Sequence, residues 1–121
     1  PHPDSTVSRY VANDWSPDGR FLAGQVGFLD EGILVHDLET GEYDRLTDFG
    51  QWPVWLPDSR RILFVTGGSE FHVVDRISRE TRLIYRSPRD VLGPPRITAD
   101  GTKVVFSRRA TEGDVWTARL R

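Results

Sequence analysis

An all-β fold is predicted by three observations. One phrase recurs: WSPDGRFLAG at residues 15–24, WLPDSRRILFV at 55–65 and RITADGTKVVF at 96–106. Its landmarks Pro17-Asp18, Pro57-Asp58 and Ala99-Asp100 fall 40 and then 42 residues apart. The apolar runs are four to seven residues long, rich in Val, Ile, Phe and Leu, and bounded by Gly, Pro, Asp and Ser, which is the punctuation of strands. No window sustains apolar residues at i, i+3, i+4 and i+7, so almost no helix is expected. A unit of four short strands in about 40 residues has the size of a propeller blade. The chain therefore reads as a partial β-propeller of about three four-stranded antiparallel sheets.

The elements follow in order. After each turn comes a run of strand character, at 21–25, 62–66 and 104–107. A short polar break follows, then a second run, ILVHDL, FHVVDR or VWTARL. Asp37 and Asp75 end equivalent strands and lead into the turns 39–42 and 77–80, after which a fourth run follows at 43–47 and 81–85. Residues 1–121 thus form a single partial propeller domain, with blade 1 at about 9–47, blade 2 at about 49–86 and blade 3 at about 92–121. The third blade lacks a fourth strand, and residues 4–9, with modest β-character at Thr6-Val7, are a candidate for a missing outer strand.

The recurring turn has a physical logic. In Ser16-Pro17-Asp18-Gly19, proline presets its own φ and aspartate bonds the backbone just ahead of it. Glycine accepts the positive φ of a tight reversal. Trp15 and Trp55 end the strand before that turn, where a large ring is expected to fill the wedge between neighbouring blades. The third copy offers Ile97 or Thr98 there, and Trp116 stands on a different strand of its unit.

Bulk properties limit the function. Sixteen basic against 18 acidic residues give a formal net charge of -2. That balance argues against a dedicated nucleic-acid binder, which carries an excess of Lys and Arg on one face. The absence of cysteine excludes disulfides, Cys-ligated zinc and thiol chemistry, and leaves the compartment open. No apolar run approaches the roughly 20 residues needed to cross a bilayer, so membrane insertion is not expected. A chain that opens on Pro1 and contains no Met reads as a processed product or a piece of something longer.

Candidate chemistry dissolves on inspection. His2 lies in the tail, while His36 and His72 fall on equivalent strands of different blades, two positions apart after alignment. With no HxH or HxxxH spacing they read as packed or half-exposed strand residues, not metal ligands. Asp18, Asp58 and Asp100 recur with the turn, and Asp37 and Asp75 with the second strand. A residue needed once per blade serves the blade, whereas catalysis needs a convergent constellation at one place. The serines show no G-x-S-x-G elbow, and Gly67-Gly68-Ser69 lacks a phosphate-loop lysine and reads as a hairpin turn. No catalytic residue, metal or cofactor is expected, and the chain is not read as an enzyme.

WSPDGRFLAG followed by ILVHDLETGEYDRLT resembles the TolB-type β-propeller repeat, a relative of WD-type blades. The resemblance covers about residues 9–121, is fullest in the first copy and thins in the third, where Thr98-Ala99 replaces Ser-Pro. It implies that EGDVWTARLR is a last blade, placing the segment at a natural C-terminus, and it favours a periplasmic or other extracytoplasmic location. It also implies that the loops joining second to third and fourth to first strands gather on one binding face. Those loops are 27–32, 49–52, 87–90 and 109–113. Phe28, Leu29 and Trp52 are their most exposed apolar residues, with Asp30, Glu31, Arg89 and Arg109 around them. The expected contact patch is Phe28, Asp30, Glu31, Trp52, Arg89 and Arg109; the competing reading has Trp52 as a plug between blades and Phe28 folded back on its own hairpin.

Closed propellers have about 4 to 8 blades. Three blades leave apolar faces open, so the expected partner is a protein: the remaining blades of a larger propeller, or a second copy in a homodimer of six blades. The expected role is a non-catalytic binding scaffold. The alternatives are the propeller portion of a prolyl-oligopeptidase-like or tricorn-like peptidase, or the sensory part of a bacterial kinase or transcriptional regulator.

Overall fold

The computed structural model describes residues 10–27, 29–87, 91–107 and 115–119, the backbone alone for Ser107 and 115–119. Eleven strands fall into three separate antiparallel sheets. The first runs β1 (Tyr10–Trp15), β2 (Phe21–Val26), β3 (Ile33–Asp37) and β4 (Tyr43–Arg45), each paired with the next. The second runs β5 (Gln51–Trp55), β6 (Arg61–Thr66), β7 (Glu70–Asp75) and β8 (Thr81–Arg86), and the third β9 (Arg96–Ile97), β10 (Lys103–Ser107) and β11 (Val115–Arg119). The expected counts of four, four and three strands hold among the described residues, and no helix occurs among them. Residues 4–9 lie outside the described residues, as does any outer strand they would supply.

Two apolar layers separate the sheets. Phe21, Ala23, Ile33, Val35 and Leu46 of the first blade meet Trp55, Ile62, Phe64 and Val74 of the second. Leu56, Leu63, Val65, Phe71 and Val73 of the second meet Leu92, Val104 and Phe106 of the third. The central strands β6 and β7 are therefore apolar on both faces, Ile62, Phe64 and Val74 on one side and Leu63, Val65, Phe71 and Val73 on the other, as burial from both sides requires. Burying each of the Val, Leu, Ile and Phe side chains among them is worth roughly 1.5–3 kcal/mol.

The repeated turn is built alike three times. Gly19, Ser59 and Gly101 occupy one position and share positive φ, at 78°, 56° and 74°. Asp18 accepts the Arg20 N–H, Asp58 those of Arg60 and Arg61, and Asp100 that of Thr102. Ser16 Oγ donates to Asp18 and accepts the Phe21 N–H, and Thr98 Oγ1 repeats both bonds with Asp100 and Lys103. Leu56 holds that place in the second copy and is buried in the second layer instead. Serine replaces glycine at 59 despite the backbone cost because its Oγ accepts the Asp18 N–H at 3.1 Å, tying two turns across the sheets.

The expectation for the tryptophans divides. Trp55 is 4% exposed and fills the wedge, its ring 6.0 Å from Phe21. Trp15, at the same register, is 60% exposed. The difference is physical: the first sheet covers Trp55, and no described sheet lies on the far side of Trp15.

A glycine and an aromatic trade places between the first two sheets. In the second, the Phe64 ring lies on Gly50, where an added Cβ would meet it at 2.3 Å. In the first, Gly24 stands at the Phe64 position and Tyr10 at that of Gly50, and the Tyr10 ring lies on Gly24, its hydroxyl donating to the Leu22 carbonyl at 2.7 Å. Either strand can supply the ring, provided that the other supplies the gap.

Candidate interaction surface

The connections 27–32 and 49–52 meet where the first two sheets adjoin. Asp30, at φ 60°, accepts the Gly50 N–H, the Thr66 hydroxyl at 3.0 and 3.1 Å, and the Gly67 N–H at 2.5 Å. One carboxylate thus binds the first blade to the start of β5 and the end of β6, which lie side by side at one end of that antiparallel pair. Glu31 pairs with Gly50 in an isolated parallel bridge, and its carbonyl accepts from Arg45 at 2.5 Å. The buried Gln25 amide spans the same seam: Nε2 donates to the Gly27 carbonyl and Oε1 accepts the Trp52 N–H at 2.9 Å.

Trp52 belongs to β5 and not to the preceding loop. It sits at a bulge with φ 54° and is half-buried against the second apolar layer. That packing corrects the view of Trp52 as a freely exposed loop aromatic: the bulge turns the ring into the seam between sheets. Leu29 is open, at 80% exposure. The structure therefore brings Asp30 and Glu31 together at Gly50, whereas the Trp52 ring packs into the seam between the second and third sheets. Phe28, Arg89 and Arg109 lie outside the described residues.

On the opposite face a polar groove runs between the first two sheets, past Asp18, Arg20, Asp37, Asp44, Arg76 and Arg79. Arg20 grips Asp37 through Nε at 3.1 Å and an Nη at 2.9 Å, and Arg60 grips Asp75 in the equivalent place. Asp37 also accepts the Glu39 and Thr40 amides, and Asp75 those of Ile77 and Ser78, closing the turns expected there. The Arg20 guanidinium and these amides hold the Asp37 carboxyl down at about 2, against partial desolvation. Hydrogen bonds from Thr98 and Thr102 hold Asp100 at about 2, and the Ser16 hydroxyl lowers Asp18. Gly41 and Arg79 share one turn position at φ 82° and 66°. Arginine bears that conformation because its Nη reaches Asp44 of the first sheet at 2.6 Å. Arg76 lays its guanidinium over the Phe21 ring at 4.1 Å.

Near the inner edge, Asn13, Asp14, Trp52, Pro53, Val54, Pro94, Pro95 and Arg96 line a shallow depression. Asp14 accepts the Trp55 N–H at 2.8 Å, and its carbonyl accepts the indole Nε1–H at 3.0 Å. Burial raises the Asp14 carboxyl above the usual range against these bonds.

His36 and His72 occupy corresponding sheet faces, packed as strand residues, and His2 lies outside the described residues. His36 stacks on Tyr43 at 4.1 Å; His72 sits between Phe49 and Phe64, with Nε2 2.9 Å from Glu70. Among the described residues no three His, Asp or Glu side chains converge to hold a metal ion. Asp14, Ser59 and Arg79 escaped the sequence reading as inter-sheet ties. Ser59 and Arg79 carried a signal, each standing at a turn position that another copy fills with glycine; Asp14 carried none.

No protein-family model matches this chain, and no curated protein does. Solved structures do. An oligogalacturonate lyase in complex with manganese matches with a TM-score of 0.64 at 23% identity, over 81% of this chain and 28% of its own. The tricorn protease matches with a TM-score of 0.61 at 18% identity, over 80% and 11%. The Myceliophteria thermophila Cps50 (Swd1) β-propeller domain matches with a TM-score of 0.59 at 12% identity, over 94% and 43%. At these identities the likeness shows the propeller fold alone. The chain spans less than half the length of each of these three.

Proposed function

We propose that this chain is a TolB-type propeller segment that serves as a non-catalytic protein-binding scaffold, its arc of three sheets completed by further blades. The observation that carries this reading is the fate of the recurring carboxylates. Asp18, Asp37, Asp58, Asp75 and Asp100 are each committed to the amides of their own turn. A side chain so engaged serves each blade, which leaves the surface between turns for recognition. The proposed contact is the loop face of Phe28, Asp30, Glu31, Trp52, Arg89 and Arg109, with Leu29 standing open beside Asp30. There Leu29 would supply an apolar knob and Glu31, Arg89 and Arg109 a polar rim, as at the core and rim of an interface.

A second reading, the propeller portion of a larger enzyme, is favoured by the likeness to a lyase and a protease. The two are separated by photo-crosslinking from position 29, with position 77 on the opposite face as control. The scaffold reading expects one discrete protein adduct from position 29 and none from 77. Adducts from both positions alike, or a hydrolase or lyase activity that purifies with the chain, would favour the alternative.

A further inference from the structure

The repeat presents one position twice in this chain, covered in the second sheet and open in the first. Trp15 pairs with Leu22 as Trp55 pairs with Ile62. In the second sheet Trp55 and Ile62 are shut in by the first, through Phe21 and the two acceptors of Asp14. In the first sheet Trp15 stands open, and the covered copy shows what the open one lacks.

Compatibility between neighbours goes by matched pairs. Where the covering strand carries Asp14, the covered position is Trp55, whose two N–H groups need acceptors. Where the covering strand carries Val54, the covered position is Ile97, packed against the second apolar layer. An acceptor goes with the indole, an aliphatic with an aliphatic, since a donor shut away without an acceptor is costly. The third sheet carries Arg96 at this register, and Lys103 where the first has Phe21. Arginine and lysine side chains only donate. A second copy that offered its third sheet would set two desolvated cations against the Trp15 N–H groups.

We propose that the Trp15 face docks a further sheet of this same repeat, lying ahead of β1 in a longer form of this chain. That sheet carries a carboxylate at the register of Asp14 and an aromatic at that of Phe21, and a second copy of the chain is not the occupant. The proposal rests on the propeller-segment reading and adds to it which face is covered and by what chemistry.

The test uses the 121-residue chain labelled with 5-fluorotryptophan, its Trp15 signal assigned by Trp15→Phe, with mass measured by sedimentation. The expected result is a monomer whose Trp15 fluorine shift responds to solvent exchange between light and heavy water. The variant Arg96→Asp/Lys103→Phe supplies both missing groups and is expected to double the mass and shield Trp15. Adding Trp15→Ser returns it to a monomer. If the double variant loses its β-sheet circular dichroism, Arg96→Asn, which offers an acceptor without the second change, is expected to show the same association more weakly. A wild-type dimer with Trp15 shielded overturns the proposal and leaves the propeller reading standing, as a ring closed by two copies. Folded variants that stay monomeric overturn the pairing rule. A wild-type monomer with Trp15 already shielded overturns both the proposal and the incomplete arc.

Discussion

Asp14 holds Trp55 at two points across the seam between the first and second sheets: its carboxylate takes the backbone N–H and its carbonyl the indole N–H. The indole is almost fully buried there, so each donor would be costly without its acceptor. Asp14→Ala is expected to destabilise the fold by about 1–2 kcal/mol, a buried amide losing its partner. Asp14→Asn, which keeps an acceptor oxygen, is expected to cost less than half as much. Urea unfolding with matched slopes reads both values, and equal losses would show that charge rather than acceptance matters.

The Tyr10–Gly24 contact predicts an asymmetric tolerance. Gly24→Ala would place a methyl 2.4 Å from both the Tyr10 ring and the Val11 carbonyl. The expected loss is about 1–3 kcal/mol, as for overpacking. Tyr10→Phe keeps the ring and loses the bond to the Leu22 carbonyl, for about 1 kcal/mol. Because the Val11 carbonyl is backbone, Tyr10→Ala is not expected to rescue Gly24→Ala; a full rescue in denaturant melts would contradict the geometry.

How much of this was legible in the sequence differs by level. The strand number among the described residues and the turn chemistry followed from the forty-residue period, because each repeat must solve the same backbone problem. Burial did not follow. Trp15 and Trp55 stand in the same phrase, yet only a neighbouring sheet decides which is shut in, and neighbours are a property of the stack. Trp52 looked like a loop residue because the bulge that swings it inward leaves no mark beyond Pro53. Asp30 read as a surface charge because its three donors lie 20 to 37 residues away.

Asp30 is expected to behave as a tie between blades. Asp30→Ala removes the acceptor for Gly50, Thr66 and Gly67, with an expected loss of about 2–3 kcal/mol. Asp30→Asn tolerates the same positive φ and keeps one acceptor oxygen, so about half the loss is expected. Amide exchange at Gly67 should accelerate in both; unchanged protection there would place the tie elsewhere.

Acid should weaken the fold in a defined window. Asp37 and Asp100 are depressed from 3.8 to about 2, and Asp18, Asp58, Glu70 and Asp75 are also lowered. A carboxyl lowered by folding contributes stability that is present above its unfolded pKa and lost as pH falls through the folded one. Asp14, raised by burial, has the opposite sign and gains as pH falls. Six lowered groups outweigh one raised group, so the melting temperature should fall between about pH 4 and pH 2. Asp37→Asn should flatten that fall; a melting temperature that rises over the window would contradict the assignment.

Arg79 pairs a strained backbone with a useful side chain. Its ion pair with Asp44 joins two half-exposed groups and is worth under about 1 kcal/mol. Arg79→Gly relieves the positive φ while losing the pair, so a net change within about 0.5 kcal/mol is expected; Arg79→Ala loses the pair and keeps the strain. Thermal melts of the two variants should therefore separate, with alanine lower.

Everything above depends on sheets that stand side by side, each covering the next. The most direct measurement is the hydrogen exchange of the indole N–H groups of Trp15 and Trp55, resolved by NMR. Radiating blades predict slow exchange at Trp55, with an NOE from its indole to the Phe21 ring, and fast exchange at Trp15. Fast exchange at both, with no Trp55–Phe21 NOE, would contradict the stacked arc.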